Sequence, residues 1–135
     1  MGMGVLYTHT LTKELIMKVF VYFNLHKKLF SIKAMEGEKK GKVIGHVPAI
    51  VLDNAKFKVS EAGRQRVIRE KRKNVHAGVV GDMNDQGIRL VIATRDLTTR
   101  VTYNPYIYQS FINAETIEPV MSADTALLVN KRIYI

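Results

Sequence analysis

From Lys18 to Leu25 the chain alternates, with Val19, Val21, Phe23 and Leu25 on one side and Phe20, Tyr22 and Asn24 on the other. A strand repeats every two residues, so this run predicts a sheet strand with one buried face and β-favouring aromatics on both. Asn24 to Lys27 then reads as a turn returning the chain through Leu29 to Met35, which makes a hairpin. Glu36 to Lys42 carries two glycines, two glutamates and three lysines without a large apolar group, the composition of an exposed loop.

The β character persists beyond that loop. Val43 to Val47 reads as a short strand, and Pro48, which has no amide to donate, belongs at an edge or a break. Ile50 to Leu52 continues the sheet, Asp53 and Asn54 mark a turn, and Lys56 to Val59 forms a further short strand. Past Gly78, strands are expected at Ile88 to Ala93 and Arg100 to Tyr103, around a polar turn at Thr94 to Thr99. Another is expected at Tyr106 to Ile112, where aromatic and β-branched residues crowd. Ala126 to Val129 and Arg132 to Ile135 flank Asn130 and Lys131, a candidate tight turn closing a last hairpin.

One segment departs from this pattern. Ser60 is a candidate N-cap, Glu61 suits the positive end of a helix, and the run to about Lys73 predicts a helix that stops near Asn74 to Gly78. Gly63 is its unfavourable residue, costing roughly 1 kcal/mol relative to Ala. The expected fold is α+β and mainly antiparallel β, a small barrel or strongly bent sheet of about seven to nine strands with one basic central helix.

A chain of 135 residues suits one hydrophobic core. Residues 1–16 are expected to be an N-terminal extension and 17–135 a single globular domain. No apolar run approaches the roughly 20 residues of a membrane span, and Met1 to Ile16 lacks the pattern of a secretory signal, so no membrane partner is expected. The absence of cysteine excludes disulfides and thiolate metal sites.

Lys and Arg outnumber Asp and Glu by 21 to 12, a formal charge of +9, which favours a polyanionic partner. Residues 56–76 concentrate eight of these cations against Glu61 and Glu70 alone. On a helical wheel Arg66, Arg69 and Lys73 fall together with Arg72 nearby, while Val67, Ile68 and Val75 gather on the other side. Arginine's planar fork matches phosphate oxygens in pairs, so Arg64, Arg66, Arg69, Arg72 and Lys73 are the candidate phosphate ligands. A solvated helix face is the competing reading of the same charges.

His76 sits where the chain leaves the helix. It is a further candidate phosphate donor, and equally a residue favouring the helix C-terminus. His26, His46 and His76 come without metal-site carboxylate spacing, so no metal, cofactor or catalytic residue is assigned. Tyr103, Tyr106 and Tyr108, with Phe111 nearby, are stacking candidates for a base, against the alternative that they are sheet and core residues.

The stretches VYFNLHKKLFSIKA, KVSEAGRQRVIREKRKNVHAGVVG and TYNPYIYQSF resemble those of small accessory proteins encoded by bacteriophages and prophages. The resemblance spans Met17 to about Ile135 and implies a host-cytoplasm location, but it brings no binding residues to carry over. It gives the anion reading a particular form, a non-enzymatic binder of nucleic acid or nucleotide that sequesters a host defence signal. A homo-oligomer could hold such a ligand between subunits. Two alternatives remain, an inhibitor docking on an acidic face of a host defence protein and a metal-independent phosphoester-cleaving enzyme.

Overall fold

The computed structural model describes residues 16–135, so nearly all of the expected 1–16 extension lies outside the described residues. Strands β1 (Met17–Asn24) and β2 (Leu29–Ala34) form the first hairpin. Asn24 builds its turn: the side-chain oxygen accepts the amides of His26 and Lys27, each at 3.0 Å. Lys28 closes the turn at φ 58°. Strand β3 (Val43–Val47) pairs with the outer side of β2, and Pro48 leads directly into β4 (Ala49–Val59).

The turn expected at Asp53 and Asn54, with a separate strand after it, is instead one strand of 11 residues. Asn54 adopts φ 49° and the register shifts between Asp53 and Lys56, a β-bulge. The bulge resets the alternation by one residue, so Leu52 before it and Ala55 and Phe57 after it all reach the same core.

Helix α1 (Glu61–Glu70) begins where expected, with the Gly63 amide donating to Ser60 Oγ at 3.2 Å. It ends earlier than the cationic run does. Lys71 turns left-handed at φ 55° and donates its amide to the Val67 carbonyl, leaving Arg72 and Lys73 beyond the helix. Within α1 three arginines, Arg64, Arg66 and Arg69, stand beside two glutamates, Glu61 and Glu70, so the cations of the expected basic helix are divided between α1 and the segment after it.

Strand β5 (Ala77–Met83) follows, and then helix α2 (Gly87–Asp96) occupies the run expected to be a strand at Ile88 to Ala93. A short apolar run fits either period, and tertiary packing decided it: Leu90, Ala93 and Leu97 meet Val51 and Leu127 on the sheet. Among the described residues there are thus two helices where one was expected. Strands β6 (Arg100–Thr102), β7 (Ile112–Asn113), β8 (Ser122–Val129) and β9 (Arg132–Tyr134) complete the chain.

The strand expected across Tyr106 to Ile112 is mostly turn. Asn104 governs it, its carbonyl accepting the amides of Ile107 at 3.1 Å and Tyr108 at 2.8 Å while its side chain accepts that of Tyr106 at 3.0 Å. The last hairpin forms as expected, with Asn130 and Lys131 at φ 51° and 64°, both left-handed as a two-residue hairpin turn requires.

The nine strands of the described residues lie in one antiparallel sheet in the order β3-β2-β1-β5-β4-β8-β9-β6-β7. The sheet is not closed, because β3 and β7 remain as edges, and this overturns the barrel expectation. Pro48 alone separates edge strand β3 from β4 in the fifth place, so the chain turns a corner there and the sheet curls. The main core lies on one face and draws Val21, Ile32, Leu52, Phe57, Val79 and Leu128 from five strands. Helix α2 covers part of the other face.

Candidate functional site

Strands β4 and β5 pair as far as Val59 and Ala77, and α1 is an excursion at the end of that hairpin. The chain beyond α1 must return to Ala77, and the Ser60 amide holds it there by donating to the His76 carbonyl at 2.7 Å. A Cβ built on Gly63 would lie 2.7 Å from the His76 Cβ. The unfavourable glycine in the helix therefore has a local reason, since it lets His76 pack against the first turn.

His76 is held at both ring nitrogens. Nδ1 lies 2.9 Å from the Asn74 carbonyl, which only accepts, so Nδ1 carries a proton. In the neutral ring Nε2 then accepts from the Tyr103 hydroxyl at 2.7 Å. The Tyr103 ring packs on Phe111 with centroids 5.1 Å apart, and Phe111 on Phe57 at 5.3 Å. Burial pushes the Tyr103 phenol up to about 12, with the Arg64 charge opposing that shift and the Glu61 charge adding to it.

Arg64, expected to hold phosphate, is buried, and its Nε and Nη1 have protein partners. Its Nε is shared between the carbonyls of Pro105 at 2.9 Å and Tyr108 at 3.0 Å, and Nη1 pairs with Glu61 at 2.9 Å. Glu61 also accepts from Gln65 at 2.8 Å. That bond, the largest influence, holds the Glu61 carboxyl below its usual value against desolvation, and the Arg64 charge adds to it. Arg64 thus clamps the Asn104 turn onto α1.

Beside this clamp opens a cleft of about 770 Å³. Its floor is apolar and aromatic, formed by Val21, Phe23, Phe30, Val79, Tyr103 and Phe111. Phe23 and Phe30 meet edge to face at 5.3 Å, and Lys131 Nζ lies 5.7 Å from the centre of the Phe23 ring. Exposed Lys73, Arg100, Lys131 and Arg132 bring positive charge to the cleft, and among the described residues no aspartate or glutamate lines it.

Of the expected site residues, Lys73, His76, Tyr103 and Tyr106 meet in this cleft. Arg66, Arg69 and Arg72 are exposed but do not line it, Arg64 lies behind it, and half-buried Tyr108 contributes its carbonyl to the clamp. Sequence reasoning missed Arg100, Lys131 and Arg132. Lys131 belongs to the last hairpin turn, but nothing local indicates that the end of the chain folds beside His76. Among the described residues no group of three or more His, Asp or Glu side chains is arranged to hold a metal ion, and no helix is long and apolar enough to cross a membrane.

Fold and cleft together define a small α+β protein, one curled antiparallel sheet with an aromatic cleft edged by cations. The chain belongs to the bacteriophage family described as Mycobacterium phage L5 gene 82 protein, whose family model matches residues 12–135. It is similar to the Gene 82 protein of Mycobacterium phage L5, with 39% identity over 118 residues covering 82% of this chain and 89% of that protein. No solved structure matches it.

Proposed function

We propose that this phage protein binds a nucleotide-sized, phosphate-bearing ligand in the cleft and does not transform it. One observation carries the reading: a concave aromatic floor whose charged lining residues, among the described residues, are the cations Lys73, Arg100, Lys131 and Arg132. A base stacks against rings such as Tyr103 and Tyr106, and its phosphates meet the rim, where Arg100 and Arg132 offer planar forks. The volume of about 770 Å³ falls in the range of small-ligand sites, which supports a nucleotide over a nucleic acid in this cleft. Both nitrogens of His76 already have protein partners, which supports holding over acid–base chemistry. In the host cytoplasm such a binder would sequester a nucleotide defence signal.

The first test is the absorbance of the purified protein at nucleotide and protein wavelengths, followed by mass analysis of whatever denaturation releases. The second is calorimetric titration of the emptied protein with linear and cyclic nucleotides. The Arg100→Gln, Arg132→Gln double variant should bind at least about tenfold more weakly, as expected for loss of charge-assisted bonds. A protein that releases nothing and gives no heat with any nucleotide at low salt overturns the reading.

A further inference from the structure

The face of the sheet opposite the main core carries a second arrangement. Val19 and Val21 point into the core, so Phe20 and Tyr22 project from the other face, with ring centroids 5.9 Å apart and planes 33° from parallel. Strand register places their neighbours. Phe20 lies directly between Lys33 on β2 and Val80 on β5, and Val80 lies opposite Lys56 on β4. Tyr22 lies opposite Ser31, which lies opposite His46 on β3, while Lys58 lies opposite Gly78.

Residues directly opposite in an antiparallel ladder share a face, so these rungs set two aromatic rings between flanks of lysine and histidine. Gly78 is what allows the arrangement. A Cβ there would fall 2.6 Å from Phe20 Cζ and 2.8 Å from its Cε1, so the ring lies across β5 where a side chain would stand. Lys56, Lys58 and His46 are exposed, and Phe20, Tyr22 and Lys33 are half-buried. Lys18 lies farther along β1 opposite Asp82, whose charge offsets it. Helix α2 lies on this same face but packs farther along, on Val51 and Leu127.

We infer that the Phe20–Tyr22 face is a binding platform for single-stranded nucleic acid, centred on Phe20 and meeting the cleft lining at Tyr22 and Gly78. Every base has a π-face, so aromatic side chains stack unpaired bases with little sequence preference, and lysines on either side follow the backbone phosphates. Lys33 and Lys56 stand three strand spacings apart, roughly 14 Å, with the aromatic row between them. A duplex keeps its bases stacked inside and cannot use the rings, so the platform favours single strands.

The test is fluorescence anisotropy of a short labelled oligothymidylate at low salt, with a duplex of the same length as comparison. The single strand should bind more tightly than the duplex. Tyr22→Ala should lower its affinity about tenfold and Tyr22→Phe should retain it. The Lys56→Gln, Lys58→Gln double variant should flatten the dependence of log affinity on log salt by about 1 to 1.5. Tyr22→Leu, which keeps apolar bulk but removes the ring, serves if Tyr22→Ala does not fold. No anisotropy change with the oligothymidylate, equal or tighter binding of the duplex, or a folded ring-less variant that binds like wild type would each overturn the inference. Calorimetry with mononucleotides reads the cleft, and because Tyr22 also lines it, the Lys56→Gln, Lys58→Gln variant, which lies outside the cleft, keeps the two readings distinguishable.

Discussion

The Tyr103 hydroxyl lies 2.7 Å from His76 Nε2, joining two segments 27 residues apart in sequence. This bond ties the return from α1 to the chain just beyond β6, and both residues line the cleft. Removing it with Tyr103→Phe keeps the ring packing on Phe111 but leaves Nε2 without its donor. The expected cost is about 1 kcal/mol of stability, measured by urea denaturation.

The same tyrosine predicts a pH dependence. Tyr103 is neutral when protonated, and burial raises its folded pKa from 10.0 to about 12. The folded state therefore holds a proton that the unfolded state releases between these values. The contribution to stability is complete below about pH 10 and is lost as pH rises toward 12. In an ultraviolet titration one phenol should ionise later than the rest, and the late step should vanish in Tyr103→Phe.

Gly63→Ala inverts the usual rule for helices. Propensity alone would stabilise α1 by roughly 1 kcal/mol. The added methyl would meet the His76 Cβ at 2.7 Å, however, and that atom is close to the backbone and cannot swing away. The variant should melt below wild type in a thermal scan, and a rise in Tm would show that His76 is not held against the helix.

Arg64→Lys should loosen the Asn104 turn. Lysine retains the charge but not the planar fork, so the carbonyls of Pro105 and Tyr108 lose their shared donor. The expected loss is about 1.5 to 3 kcal/mol, the range for hydrogen bonds to a charged group. Hydrogen exchange should accelerate at Ile107 and Tyr108 first, because their amides close that turn.

Gln86 extends the sheet with a side chain. Its oxygen accepts the Val51 amide at 2.7 Å and its nitrogen donates to the Val51 carbonyl at 3.0 Å, supplying a rung just where β5 has given way to α2. Gln86→Glu keeps the acceptor and sets an oxygen against the carbonyl, so a loss of about 1 to 3 kcal/mol is expected on denaturation. Gln86→Ala, which leaves both Val51 groups unpaired, should also destabilise the fold.

By itself the sequence determined the local features whose causes lie within a few residues. Period-two alternation announced β1, Asn24 its turn, Ser60 the start of α1, and Asn130 with Lys131 the last hairpin, because each depends on side chains bonding to or shielding their own neighbouring backbone. Kinship with small phage proteins, too, was legible in the stretches from β1, α1 and the Asn104 turn. Tertiary structure decided everything that needed a distant partner. The Ile88 to Ala93 run suited strand and helix alike until Val51 and Leu127 offered a face for Leu90 and Ala93. Arg64 read as a phosphate ligand until the carbonyls of Pro105 and Tyr108 occupied it, 41 and 44 residues away. The cleft gathers Lys73, Arg100 and Arg132 only because the sheet curls, and nothing in one dimension encodes which solvated cations that curvature brings together.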